Sequence, residues 1–306
     1  MESTTYPGTT KEFFQPLIEV GGLRVGAVLN LAFSPERVDP GNKVYGIKNT
    51  PKVVGGVTPD CTRRAVDFYA SFIDTVVPAK GTREAEMAKL LENTYRHINI
   101  ALVNEMARFS HELGIDLWNV IECAKTKPFG FQAFYPGPGV GGHCIPIDPN
   151  YLSHTVQARL HYPFRFVELA QEVNAGMPAY VARRIQDRLN DDGKAVRGST
   201  VLLLGVTYKT NIADERESPA VPLAMKLLDR GADLRFHDPY VTVRNAAEHG
   251  DPERLLKGES DLRQAMRDAD IVVLLQAHDE CIAGALDGVA VFDTRGVLRG
   301  ESVDRL

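Results

Sequence analysis

The residues with the most chemistry in this 306-residue chain lie in one segment, GPGVGGHCIPIDPNYL (137–152). Cys144 follows two glycines, stands beside His143 and precedes Asp148 by four residues. Glycines let a backbone approach a ligand closely, because no Cβ intervenes. A thiol with a potential base and a carboxylate in the same loop has the makings of a nucleophile site. An inert thiol acting as a small hydrophobe is the plain alternative. A metal site fits less well: the spacing is not that of zinc ligands and no second ligand cluster is visible. GPGVGG (137–142) also matches the dinucleotide pattern G-x-G-x-x-G. That pattern works between a strand and a helix, whereas here FYP precedes and the proline-rich HCIPIDP follows. The glycines therefore read as a ligand-wrapping loop whose N–H groups can cradle phosphate.

Other candidates are sparser. Lys89 and Asn93 are four apart and share a helix face. A solvated surface pair is the bland account of them. SPER (34–37) reads equally as a turn, and YKTNIADERES (208–218) as a charged loop.

The elements that must position these residues can be read from periodicity. Apolar residues at Met87, Leu91, Tyr95, Ile98, Leu102, Met106, Phe109 and Leu113 step by threes and fours, which marks one face of a long helix. Gly81 and Gly114 bracket it, and Lys89 and Asn93 fall roughly opposite the stripe. Before it, short strands are expected within 23–38 and 50–58, and a helix at 58–73 with Thr58 as cap and Pro59 in the first position. A helix follows from Leu117, periodicity is lost over 127–152, and helical sequence resumes at 165–189. A loop that long inside a compact protein is usually functional. A composition change at 189–199 marks a domain boundary. Beyond it, apolar strands (199–206, 232–239, 270–278, 289–296) alternate with helical sequence such as 218–231, where Ser218 is the expected cap. That alternation predicts an α/β fold with a doubly wound parallel sheet, whose ligands bind beyond the carboxyl ends of the strands.

Composition sets outer bounds. The length predicts about two domains. With 44% hydrophobic and 25% charged residues, the chain has the mix of an ordinary globular protein. A net charge of −5 with no basic stripe argues against nucleic acid as a partner. No apolar run nears the roughly 20 residues that span a bilayer, so no membrane is expected either. MESTTYPGTT lacks a basic region followed by an apolar one, so it does not read as a signal peptide. Four cysteines without C-x-x-C spacing suggest a reduced, cytoplasmic protein rather than a disulfide framework.

Together the residues resemble the UDP-glucose/GDP-mannose dehydrogenase family. The resemblance rests on five blocks in the family's order: SPERVDPG (34–41), EMAKLLENTY (86–95), GPGVGGHCIPIDPNYL (137–152), LLGVTYKTNIADERESPA (203–220) and FDTRG (292–296). The HCIPIDP form is most similar to the branch acting on UDP-N-acetylhexosamines. The resemblance implies oxidation of the sugar C6 alcohol to a carboxylate, with two hydride transfers to NAD. Cys144 would be the nucleophile, forming a thiohemiacetal and then a thioester. Lys89 would stabilise oxygen charge near C6, Asn93 would position substrate or water, and Asp148 would assist proton transfer. Glu36 would serve substrate binding and thioester hydrolysis, while Thr4, with Ser3, would lie near the nicotinamide. Tyr135, Gly137, Gly139 and Gly141 would wrap the nucleotide-sugar. Tyr208 and Lys209 would hold UDP, Arg295 the substrate, and Arg216 would reach NAD.

The resemblance also implies three parts. Residues 1–78 would be the end of an NAD-binding, Rossmann-like domain, 79–190 a helical central domain dimerising through helix 82–113, and 191–306 a UDP-binding domain. The role would be to supply sugar nucleotides for surface polysaccharide. Two departures stand out. Ile147 occupies the place of a cofactor-contacting lysine in the UDP-glucose branch, and Pro40 falls near an expected second glutamate. A third expectation follows from the start of the chain: the front of the NAD domain is missing, so its strands lack partners and the chain alone does not turn over. The rival readings are a non-catalytic UDP-sugar-binding dimer and a UDP-glucose or GDP-mannose dehydrogenase of the same family.

Overall fold

The computed structural model describes residues 1–39, 41–142, 144–245, 255–282 and 288–306. Pro40 and His143, singled out above, lie outside the described residues, and of Cys144 only the backbone is described. The chain forms two compact units. One is Met1–Arg96 with Ile147–Val167; the other is His97–Pro146 with Glu168–Leu306.

The first unit is built on a four-stranded sheet, β1 (Glu2–Ser3), β2 (Ala32–Pro35), β3 (Lys52–Gly56) and β4 (Val76–Pro78), in that order. The β1–β2 and β3–β4 pairs are parallel and β2–β3 is antiparallel. Every one of these strands has a partner, contrary to the expectation that strands in 1–78 would lack them. A π-helical turn (Thr9–Phe14) leads into α1 (Gln15–Glu19). Helix α2 (Pro59–Ala70) begins as predicted, with the Thr58 hydroxyl accepting from the Cys61 N–H at 3.2 Å. The glycines of β3 allow this packing. A Cβ on Gly55 would sit 2.1 Å from the Gly81 carbonyl oxygen, and one on Gly56 would sit 2.3 Å from the Thr62 nitrogen.

Helix α3 (Thr82–Glu112) is the predicted long helix. Its buried side differs from the simplest reading of the stripe. Leu91 is 64% and Leu113 67% exposed, and Met87, Tyr95, Leu102 and Phe109 are exposed too. Leu90, Asn93, Thr94, His97, Ala101 and Asn104 are buried instead. For several of the polar residues on that side, hydrogen bonds offset the cost of desolvation. Buried Glu86 shows how. It accepts from the Gly8 N–H at 2.6 Å, the Thr10 N–H at 2.8 Å and the Thr10 hydroxyl at 2.6 Å, which ties the segment after β1 to α3.

In the second unit, α4 (Leu117–Ala124) is capped by Asp116. Residues 127–142 hold no strand, as expected for the glycine loop. The aperiodic stretch does not run to 152, however, because α5 (Cys144–Leu160) begins inside it. Pro146 is tolerated there because first-turn N–H groups have no helical partner in any case. Helix α6 (Arg165–Asp191) follows.

The last segment forms a five-stranded parallel sheet from β5 (Thr200–Leu204), β6 (Asp233–His237), β9 (Ile271–Leu274), β10 (Val291–Asp293) and β11 (Val303–Arg305). Their order is β11-β10-β9-β5-β6. A two-stranded pair, β7 (Val243–Asn245) and β8 (Leu255–Lys257), stands beside it. Side chains alternate between the faces with the two-residue period of a strand. Val201, Leu203, Phe236 and Val273 pack with α6 and with α7 (Ala220–Asp229). Leu202, Leu204, Val272 and Leu274 pack with α8 (Leu262–Asp268) and α9 (Asp279–Ile282). Helices thus cover both faces, as the predicted doubly wound arrangement requires. Helix α7 starts one residue later than predicted. Ser218 still caps its first turn: its hydroxyl accepts from the Ala220 N–H at 3.3 Å and donates to the Val206 carbonyl at 2.6 Å.

Candidate active site

In the first unit, α3 and α5 bring Asn93 and Asp148 together. The Asn93 Nδ2 donates to Asp148 Oδ2 at 2.6 Å, and the two residues are only 3% and 2% exposed. A solvated surface pair is therefore ruled out for Asn93. Lys89 lies one turn earlier on α3 and is half-buried. Asp148 lies one turn beyond Cys144, the first residue of α5. A helix start carries partial positive charge and favours an anion. Sequence reading missed this feature, because the prolines around Cys144 argued against a helix.

Glu36 follows β2 and is exposed, with Oε1 accepting from the Val38 N–H at 2.6 Å. It lines a cleft of about 320 Å3 with Glu2, Arg37, Lys52 and Tyr69. Ser3 ends β1 and Thr4 follows it, half-buried, at the strand's carboxyl end.

In the second unit the glycine loop meets the residues predicted to hold UDP. Gly141 has no room for a side chain: a Cβ there would lie 2.5 Å from the Tyr208 Cβ. Gly142, at φ +83°, faces the Tyr208 ring and donates its N–H to the Arg216 carbonyl at 2.9 Å. Gly139, at φ +144°, packs on Pro219, and a Cβ on Gly137 would be 3.2 Å from Arg295 Nη1. Desolvation pulls the Arg295 guanidinium down to about 10, which leaves it a cation at neutral pH. Its Nε donates to the Leu275 carbonyl at 2.5 Å. Arg216 forks onto Asp214, with Nη2–Oδ2 at 2.6 Å and Nε–Oδ1 at 2.9 Å. Tyr135 stacks on Trp118 at 5.9 Å and donates to Glu122.

Two supporting networks gave no sequence signal. Gly137 N–H donates to Asn104 Oδ1 at 2.9 Å, and Asn104 Nδ2 donates to Asn174 Oδ1 at 2.9 Å. The other network lies at the sheet's switch point, where β6 flanks β5 on one side and β9 on the other. Buried Asp238 accepts from Val206 N–H at 2.7 Å and contacts His278 Nε2 at 3.2 Å. The Asn211 N–H donates to His278 Nδ1 at 2.8 Å, so the proton of a neutral ring sits on Nε2, 3.0 Å from the Thr207 hydroxyl oxygen. That hydroxyl donates to the Lys209 carbonyl at 3.0 Å. The relay brackets Tyr208 and Lys209 and holds Asn211 at φ +59°.

Comparison with known proteins identifies the family. Family models match the UDP-glucose/GDP-mannose dehydrogenase NAD binding domain at 1–73, central domain at 83–176 and UDP binding domain at 202–300. A UDP-N-acetyl-D-mannosamine dehydrogenase from Methanocaldococcus jannaschii is 34% identical over 98% of the chain and 66% of its own length. A UDP-N-acetyl-D-glucosamine 6-dehydrogenase from Pseudomonas aeruginosa is 36% identical over 80% of the chain and 58% of its own length. The solved UDP-D-ManNAc dehydrogenase of Pyrococcus horikoshii superposes with a TM-score of 0.85 at 31% identity, covering 97% of this chain and 68% of that one. The chain belongs to the UDP-glucose/GDP-mannose dehydrogenase family.

The match at 1–73 corrects one expectation. The NAD binding domain is represented, so neither its loss nor inactivity of the chain is supported. Among the described residues, no helix is long and apolar enough to cross a membrane.

Proposed function

We propose that the chain serves an NAD-dependent UDP-N-acetylhexosamine 6-dehydrogenase, which oxidises the C6 alcohol of the sugar to the carboxylate. The observation that carries this reading is the buried Asn93–Asp148 hydrogen bond. It joins residues 55 apart in sequence that the reaction needs together, one turn from Lys89 and one turn from Cys144 along their helices. Names of relatives support the substrate class: those compared above act on UDP-N-acetyl sugars. Ile147, in place of the UDP-glucose branch's lysine, points the same way.

Loss of a hydride from C6 and of the hydroxyl proton would turn the alcohol into the aldehyde. Cys144 would add to it; the new C–S bond gives a thiohemiacetal whose oxygen takes up the thiol proton. Loss of a second hydride and of that proton would leave a thioester, which water hydrolyses to the acid and the free thiol. Lys89 opposes the developing oxygen charge, an effect worth about 3 kcal/mol in a dry site. Asn93 orients substrate or water, Asp148 moves the proton, and Glu36 assists binding and hydrolysis. Ser3 and Thr4, at the carboxyl end of a parallel strand, fit the nicotinamide end of NAD, because α/β sheets bind ligands there. NAD supplies the hydride acceptor when bound, and Arg216 would help to hold it. Tyr135, Gly137, Gly139 and Gly141 wrap the nucleotide-sugar, while Tyr208, Lys209 and Arg295 hold the UDP end.

The organisation we propose is 1–78, 79–190 and 191–306 for NAD, core and UDP. The exposed apolar face of α3 suits a second copy of the chain, and a solution mass of one chain would remove that dimer. Unpaired Cys61, Cys123 and Cys281 suit a reducing cytoplasm. The test is NADH formation with UDP-N-acetylglucosamine, UDP-N-acetylmannosamine and UDP-glucose. Either acetylated sugar should be oxidised in preference to UDP-glucose, and a preference for UDP-glucose would defeat the substrate assignment.

A further inference from the structure

Arg37 stands beside Glu36 in the segment that leaves β2, and its guanidinium gathers three stretches of the first unit. Nη2 lies 2.9 Å from Glu92 Oε1, and Nε donates to Glu92 Oε2 at 3.4 Å. Nη1 donates to the carbonyl of Pro51, the residue before β3, at 2.6 Å. Two of its nitrogens meet both oxygens of one carboxylate, a planar fork that a lysine ammonium does not reproduce. Glu92 belongs to α3, three residues after Lys89 and next to Asn93.

As a stabilising device the pair is weak. The Arg37 and Glu92 side chains are 28% and 39% exposed, and ion pairs so open to water add little to folding. Its position points to another use. Strand β2 ends at Pro35, so Glu36 already lies beyond the ladder. The Glu36 Oε1 accepts from the Val38 N–H, two residues away. That bond turns the carboxylate within its own segment and does not tie the segment to a distant element. Arg37 supplies such a tie, to α3 across 55 residues of sequence.

We propose that Arg37 is a positioning residue: through its fork onto Glu92 it holds the Glu36 carboxylate at a fixed place relative to Lys89 and Asn93 for thioester hydrolysis. The inference rests on the dehydrogenase reading above and adds the device that places Glu36. In that step the water oxygen bonds to the thioester carbon and the C–S bond breaks. The proton that water gives up passes by way of the Glu36 carboxylate to the Cys144 sulfur, which leaves the free acid and the thiol. Placement matters more here than binding strength, because a misplacement of about 1 Å can cost roughly 100-fold in rate. A pair that hardly stabilises the fold can therefore still control the rate.

The test compares the wild type with Arg37→Met, Glu92→Gln and the double variant during turnover of UDP-N-acetylglucosamine with NAD. NADH formation gives the kinetics, and acid quenching gives the fraction of Cys144 that carries the sugar-acyl group. Each single variant should lower kcat by about 10-fold and raise the acyl fraction, because the step after thioester formation is the one slowed. Its kcat/KM should change less than about twofold, since that ratio reports the steps up to the thioester. The double variant should be no slower than the slower single one, because the two groups act as one. The denaturant midpoints should barely move. If Arg37→Met does not fold, Glu92→Gln carries the same prediction. Unchanged kinetics, a fall in kcat/KM without acyl accumulation, or losses that multiply in the double variant would overturn the positioning role. Absence of NADH formation by the folded wild type would overturn the dehydrogenase reading itself, and the inference with it.

Discussion

Removing the Asn93 amide withdraws a 2.6 Å donor from Asp148 where both residues are almost wholly buried. Asn93→Ala should lower stability by about 1–3 kcal/mol, the usual cost of a lost buried hydrogen bond. Denaturant unfolding of the two forms checks this, and equal midpoints would show that the contact is not formed in solution. Helix spacing made Asn93 visible beside Lys89, but not its burial. An asparagine at that register is ordinary on a surface, and only the arrival of Asp148 from a distant helix makes it a buried partner. Asn104, Asn174 and His278 were not legible for the same reason: each acts through a partner far away in sequence. Cys144 was legible from its neighbours, whereas its position at the start of a helix was hidden by Pro146 and Pro149.

At the scale of elements, the glycine loop and the turn after β5 fit only while Gly141 has no side chain. Gly141→Ala should displace Tyr208, weaken UDP binding and destabilise the protein by about 1–3 kcal/mol, the usual cost of overpacking. Gly176→Ala is the contrasting case. That glycine lies inside α6, and a Cβ added there would meet nothing within 4 Å, so the change should stabilise by about 0.5–1 kcal/mol. Calorimetry with UDP and thermal melting separate the two outcomes.

The relay at the switch point makes a pH prediction. Burial pushes the Asp238 pKa up, but donors from His278, Tyr240 N–H and Val206 N–H outweigh it, and the net shift is downward from 3.8. A carboxylate with a depressed folded pKa contributes stability above its unfolded pKa and loses it as pH falls through the folded one. The wild type should therefore lose stability more steeply below about pH 4 than Asp238→Asn, as acid titration of the unfolding midpoint would show. The parallel sheet itself was readable, because its strands are buried on both faces and appear as unbroken apolar runs. Strand β11 was not, since VDR (303–305) is only half-buried and lacks such a run.

At the scale of the molecule, the long stripe of α3 was legible as a helix, but not which side the fold would cover. Periodicity reports an apolar face, and a second chain can cover it as well as this one. The three family matches, from residue 1 to residue 300, agree with the order of the blocks read from sequence. The chain spans 66% of the length of the M. jannaschii relative. The most direct measurement is mass spectrometry of the Cys144 peptide, acid-quenched during turnover with UDP-N-acetylglucosamine and NAD. A sugar-acyl adduct on Cys144, together with loss of uronic acid formation in Cys144→Ala, is the predicted result. Undiminished uronic acid formation by Cys144→Ala would contradict the account.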